Sequence, residues 1–314
     1  MAAENKAGFA FIGKLGPLLG LVILSIVLTF LSDRFLTVDN LLNVTRQVSI
    51  NAIISVGMTL VILTGGIDLS VGSILAFSGS ITAGLLAGGQ TLSLAVFLGL
   101  IVGAGLGFIN GILITRAGIP PFIATLGTMT TARGFTLVYT DGRPITGMDE
   151  VFRFLGGGYI ASIPVPVIIM AVIFIAAYIM LKQTKFGRYI YAIGGNEEAA
   201  RLSGINTKRV LTSVYTLGGL LAGFSGVIMA SRLNSAQPTA GIGFELDAIA
   251  AVVLGGTSLS GGVGTIAGTL IGAMIIGVLD NGLNLLNVSS FYQQVAKGVV
   301  ILLAVYVDKK RKGR

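Results

Sequence analysis

Cysteine and histidine are both missing from this chain of 314 residues. Their absence excludes thiolate nucleophiles, His-based triads, zinc sites built on Cys or His, c-type haem attachment and histidine proton relays. No G-x-x-x-x-G-K-[ST] run occurs, so the chain carries no phosphate-binding P-loop of its own. Charge is scarce as well: Asp, Glu, Lys and Arg make up 11% of the residues, against about 25% in soluble domains. What fills the chain instead is apolar or small, with 54% hydrophobic residues and 46 glycines. That balance suits lipid as solvent.

The positions of the few charges map the organisation. Charge-free stretches run over 15–32, 47–67, 69–115, 154–181, 210–231 and 248–279. A helix crossing a hydrocarbon layer of about 30 Å needs roughly 20 mainly apolar residues. The stretch 69–115 holds two spans, divided at Gly88, Gly89 and Gln90, and 248–279 divides at the Gly and Ser run from Gly255 to Gly262. Two further candidates, 118–140 and 290–307, contain Arg133 and Lys297. The first apolar stretch exceeds a usual signal core and lacks a small-x-small cleavage site, so it reads as the first span.

Basic residues gather before that span (Lys6, Lys14), in a central loop (Lys182, Lys185, Arg188, Arg201, Lys208, Arg209) and at the C-terminal end (Lys309, Lys310, Arg311, Lys312, Arg314). The positive-inside rule places all three clusters in the cytoplasm. The net charge of +8 then reflects membrane orientation and needs no nucleic-acid partner. Parity requires a crossing at 245–260, too short for an ordinary span, which is therefore expected as a short or broken helix buried by its neighbours. The expectation is an all-α polytopic membrane protein of ten crossings, both termini cytoplasmic, forming one transmembrane domain over 1–314. Its non-membrane parts are an N-terminal segment 1–14, a coupling loop 183–208 and a basic tail 308–314.

Glycines recur every fourth residue at Gly99, Gly103, Gly107 and Gly111, and again at Gly264, Gly268 and Gly272. Such spacing permits close helix approach, within the chain or against a partner subunit. VILTGGIDLSVGSI (61–74) is echoed by VVLGGTSLSGGVGTI (252–266), which implies two partial repeats of parallel orientation, each with a cytoplasmic turn. Asp68, in the first, reads chiefly as an N-cap of the following helix, with a transport role as the alternative.

Three sets of residues stand out as working parts. GGNEEAARLSGIN carries the signals of a short helix: Asn196 as N-cap, Glu197 and Glu198 at the positive dipole end, and Gly204 as stop. Ala199, Ala200, Arg201, Leu202 and Ser203 complete it, a length too short to be stable alone. It is either a solvated surface turn or a handle for a cytoplasmic protein. Asn51, Ser55 and Thr59 share one face of the second span, with Asn281 and Asn284 as a shorter polar face, and either face lines a solute route or binds neighbouring helices. Asp280 and Lys297 sit symmetrically about the turn 287–290, each ~12 Å from it along an antiparallel hairpin at 1.5 Å per residue. They should form a salt bridge, structural or proton-coupling.

VGMTLVILTGGIDLSVGS, GRYIYAIGGNEEAARLSGIN, SAQPTAGIGFELDAIAAVVLGGTSLSGGVGTIAGTLIGA and NGLNLLNVSSFYQQVAKGVVILLAV resemble the bacterial ABC-type sugar-importer permeases, their ribose-importing branch most of all. The likeness runs from about residue 35 to the end. It implies an inner-membrane, multi-pass homodimer with its pathway at the dimer interface, moving a monosaccharide by alternating access. A cytoplasmic ABC ATPase using ATP and Mg would drive it, and a periplasmic or lipid-anchored sugar-binding protein would deliver the cargo. This chain would bind no cofactor or metal and catalyse no reaction. The resemblance assigns Asn196–Gly204 as the ATPase-coupling helix and makes the outward Arg34, Arg143, Arg153 and Arg232 docking candidates for the binding protein. In the family pattern an uncharged residue is also usual at the position of Asp280, which weakens a general transport role for its pair with Lys297. Two rivals remain: a sugar and proton symporter relying on Asp280 and Lys297, and an intramembrane Ser and Lys hydrolase, which no spacing supports.

Overall fold

A computed structural model describes the backbone of residues 2–312, with side chains placed for 16–306 apart from Ala304. The backbone of 2–14 and 308–312 runs on within helices, and the side chains of the N-terminal segment and of the basic tail lie outside the described residues. Thirteen helices follow in order: α1 (Ala2–Leu31), α2 (Val38–Leu63), α3 (Val71–Ala87), α4 (Leu92–Thr115), α5 (Pro121–Thr140), α6 (Glu150–Gly157), α7 (Val165–Gln183), α8 (Lys185–Gly195), α9 (Glu197–Leu202), α10 (Thr207–Leu233), α11 (Phe244–Leu254), α12 (Ile266–Leu285) and α13 (Ser290–Lys312). Five of them, α2, α4, α7, α10 and α12, are long and apolar enough to cross a membrane.

The expectation of an all-helical chain needs a small correction. Two-residue strands β1 (Ile145–Thr146) and β4 (Ser235–Ala236) pair antiparallel, as do β2 (Tyr159–Ile160) and β3 (Ile163–Pro164). They tie together the connections at one end of the bundle, where backbone leaving the helices needs new hydrogen-bond partners. The same end carries α6, whose Phe152 is fully buried. The stretch 183–208, expected as a loop holding one short helix, holds that helix, α9, and a second one, α8, before it. In α8, Gly187, Ile190 and Ile193 are buried at helical spacing, and Thr184 caps it by accepting from the Gly187 amide at 3.2 Å.

The centre of the molecule is α2, whose residues are buried without a break from Ala52 to Leu63. A helix apolar on every face belongs inside a bundle, and α7, α10, α11 and α12 all contact it. The glycine stripes explain two contacts. A side chain at Gly103 or Gly107 would strike the Gly219 or Tyr215 carbonyl oxygen, 2.6 and 2.2 Å from the Cβ position, so the α4 stripe faces α10 of the same chain. The α12 stripe faces α11: a Cβ at Gly272 would lie 1.8 Å from the Ala251 oxygen. In the segment 245–260 the chain forms the short helix α11, 11 residues from Phe244 to Leu254, and then turns.

Candidate functional site

The short helix α9 has the local construction its sequence signals. The Asn196 side chain accepts from the Ala199 amide at 2.9 Å, and Gly204 ends the element with φ +85°. Arg201 grips Glu198 with two hydrogen bonds of 3.0 and 2.6 Å. The bond from Arg201 holds the Glu198 carboxyl below its ordinary range, and Glu198 raises the guanidinium in return. Only Ala200 is buried in this helix, while Leu202 is 76% exposed. An apolar knob between charges suits contact with another protein. The sequence places Leu202 in the helix, and only the structure shows that it is exposed.

Beneath α9 the two repeat turns meet. The Gly262 amide donates to the Leu63 carbonyl at 2.9 Å, joining the segment after α2 to the segment before α12. Gly194, at the end of α8, lies against this bond: a Cβ there would stand 1.8 Å from the Leu63 oxygen and 2.4 Å from the Gly262 nitrogen. Tyr191 adds a hydroxyl bond to the Gly264 carbonyl at 2.9 Å. The helix leading into α9 is thus in backbone contact with both repeats. A short run of contacts links α9, through α8, to the end of α2 and the segment before α12.

A cleft of about 380 Å³ opens beside α9, between Gly65 and Gly66, Pro121, Glu197, Lys208 and Tyr215. Behind its floor lies a buried polar chain. Thr128 donates to Asn110 at 2.5 Å, Asn110 donates to Ser70 at 2.9 Å, and Ser70 donates through its hydroxyl and its amide to Asp68 at 2.5 and 2.8 Å. This corrects the reading of Asp68 as an N-cap. The cap of α3 is Ser70, without a side-chain cap bond, and Asp68 turns back onto Ser70 from two residues earlier. Its carboxylate bonds locally to Ser70, and Ser70 links it through Asn110 of α4 to Thr128 of α5.

Lys297 lies 2.9 Å from Asp280, and also 2.9 Å from Asp247 of α11. The third member escaped sequence reading, since hairpin spacing says nothing about a residue 50 positions away. Two carboxylates on one ammonium bind the short helix α11 to the α12–α13 hairpin. The polar stripe on α2 is engaged in packing. Ser55 and Thr59 are fully buried, each bonded to the carbonyl four residues earlier, and Thr59 meets Thr269 of α12 at 2.7 Å. Asn51 is partly exposed. Asn281 exchanges two hydrogen bonds with Asn40, at 3.0 and 2.8 Å, and Asn284 accepts from Gln293 at 2.8 Å. Arg34, Arg143 and Arg153 are exposed, whereas Arg232 is half-buried, beside the α6 contact.

The family model described as "Branched-chain amino acid transport system / permease component" matches residues 40–305. The chain belongs to this permease family. It is 60% identical over 300 residues to the ribose import permease protein RbsC of Bacillus subtilis (strain 168), covering 95% of this chain and 93% of that one. To RbsC of Escherichia coli (strain K12) it is 54% identical over 299 residues, 94% and 93% of the two chains. To the D-allose transport system permease protein AlsC of the same strain it is 41% identical over 312 residues, 98% and 96%. No solved structure matches the chain. The permease is a multi-pass protein of the bacterial inner membrane and a subunit of an ABC importer.

Proposed function

We propose that this permease is the membrane subunit of an ATP-driven, binding-protein-dependent importer of ribose, working by alternating access between two copies of the chain. The observation that carries the reading is identity of 54% or more to ribose import permeases over at least 94% of the chain. The segment Asn196–Gly204 is the ATPase-coupling helix, supported by its exposed Leu202 and by the backbone contacts of Gly194 beneath it. ATP and Mg are used by the partner ATPase, since this chain lacks a P-loop. Closure of the ATPase dimer moves α9, and the joined repeat turns pass that motion to α2 and α12. Arg34, Arg143, Arg153 and Arg232 face the sugar-binding protein.

Ten crossings with both termini cytoplasmic fit the charge distribution and the short α11. The single membrane domain spans 1–314. For a pathway at the homodimer interface the support is the polarity of one face. Arg133 donates to the carbonyls of Pro238 and Ala240 at 2.5 and 2.9 Å, which pins the irregular segment before α11 against α5. Arg133 is ~18 Å along α5 from Pro121 at 1.5 Å per residue. Irregular backbone at that depth is stable only against protein or beside a watery cavity. The exposed Thr130, Thr131, Gln237 and Thr239 there suit hydroxylated cargo better than lipid. With Ser55 and Thr59 engaged in packing, the pathway runs on this face.

Reconstitution in proteoliposomes with the ATPase and binding protein tests the reading: uptake of labelled ribose depends on ATP. Replacing Glu198 and Arg201 together leaves the membrane domain folded and separates ATP hydrolysis from uptake. Normal uptake by that variant sinks the coupling assignment. Uptake that persists without the ATPase and collapses with a protonophore identifies a symporter instead.

A further inference from the structure

A further cavity adjoins the cleft beside α9 and shares Thr115 and Lys208 with it. It is a groove of about 610 Å³ between the end of α4 and the start of α10. Its walls are of two kinds. Phe108, Ile112 and Leu217 form an apolar side continuous with the membrane-facing surface of the bundle, where Phe108 is 49% exposed. Arg116, Lys208 and Arg209 stand at its mouth, all exposed, and Ser213 adds a hydroxyl. Among the described residues, these three cations form no salt bridge, and no acidic side chain lines the groove. Across Arg209 and Ser213 a second hollow, of about 270 Å³, is lined by Phe186 and Tyr189 of α8.

We propose that this groove holds an anionic phospholipid of the cytoplasmic leaflet. Three unpaired cations above an apolar wall match a phosphate above an acyl chain, and basic pockets between membrane helices at the cytoplasmic side bind such headgroups. The aromatic residues of α8 lie where amphipathic rings settle, at the boundary of hydrocarbon and headgroups. Neutral lipid leaves the cations without a counter-ion, and a soluble phosphate leaves Phe108 and Ile112 facing a void. Because Lys208 and Arg209 begin the helix that follows α9, a lipid seated here braces the coupling segment. The leaflet, though not the site, rests on the orientation given under the proposed function.

Native mass spectrometry of the full chain, extracted in mild detergent from nanodiscs mixing phosphatidylglycerol with phosphatidylcholine, tests this. Wild type retains phosphatidylglycerol in preference, and the triple variant Arg116→Gln, Lys208→Gln, Arg209→Gln loses about tenfold or more of that retention. A control variant, Lys182→Gln with Lys185→Gln, retains it. Arg116→Lys with Arg209→Lys keeps the charge and the lipid, which separates lost binding from lost folding. Equal retention by wild type and the triple variant, or no preference over phosphatidylcholine, overturns the proposal. Displacement of the lipid by millimolar inorganic phosphate overturns it in favour of a soluble anion. Since the chain has no cysteine, Ser203→Cys reports orientation: labelling by an impermeant maleimide from the cytoplasmic side is expected. Labelling from outside refutes the leaflet and the orientation together, independently of lipid retention.

Discussion

At the scale of single residues, the informative positions are those where small size or one charge is irreplaceable. Gly194 is the clearest. A methyl group there occupies the space of the Leu63 oxygen and breaks the hydrogen bond that joins the repeat turns. Gly194→Ala is expected to destabilise by about 1–3 kcal/mol and, in reconstituted transporter, to lower sugar-stimulated ATPase activity more than basal hydrolysis. Lys297 gives a second test. Lys297→Met leaves Asp247 and Asp280 facing each other without a cation, at a cost of about 3–5 kcal/mol. Asp280→Asn is milder, because Lys297 keeps Asp247 at 2.9 Å. Thermal melts in one detergent should rank the variants in that order, and equal melting temperatures refute the triad as a structural tie. Asp68→Ala strips Ser70 of its acceptor inside the bundle, a loss of about 1–3 kcal/mol, visible in the same melts.

At the scale of elements, α9 is held by very little of its own. Six residues make a marginal helix, so the Asn196 cap matters more here than in a long one. Asn196→Ala is expected to cost about 1 kcal/mol and to weaken ATPase binding in a pull-down, leaving the fold of the remaining helices intact. The Glu198–Arg201 pair is exposed and screened by salt, so it adds little to stability. Its pH dependence has a definite sign. Arg201 lowers the folded-state pKa of Glu198, so the pair is complete above the ordinary carboxylate range and is lost as pH falls through the lowered value. Coupled uptake by wild type should be insensitive to pH near neutrality and in acid should approach that of Glu198→Gln. The caps and dipole charges of α9 were legible because they lie within ten residues of one another. The helix α8 was not, since a search for charge-free runs passes over an amphipathic helix carrying Lys185 and Arg188.

At the scale of the whole molecule, α10 organises the bundle by lying against α2, α3 and α4. Its glycines allow backbone to meet backbone: a Cβ on Gly219 would come within 2.3 Å of the Gly103 oxygen. Gly107→Leu forces α4 and α10 apart, and the expected result is loss of the folded monomer from membranes, scored by protease resistance against wild type. Tolerance of leucine there means that this contact is looser than the backbone distances require.

The sequence by itself determined the membrane class, the approximate boundaries of the long helices, the short α11, the self-capped α9 and the hairpin placing Asp280 opposite Lys297. Each follows from composition, or from spacing along one helix or across one short turn, where 1.5 Å per residue fixes the geometry. Tertiary structure alone decided that the α4 glycines face α10 and that Asp247 completes the Lys297 cluster. It also decided that the two repeat turns join beside Gly194, that Ser55 and Thr59 are spent on packing, and that three cations share one groove. These depend on which distant helices become neighbours. That choice is made by side-chain volume and close fit between helices, which no local pattern in the chain records.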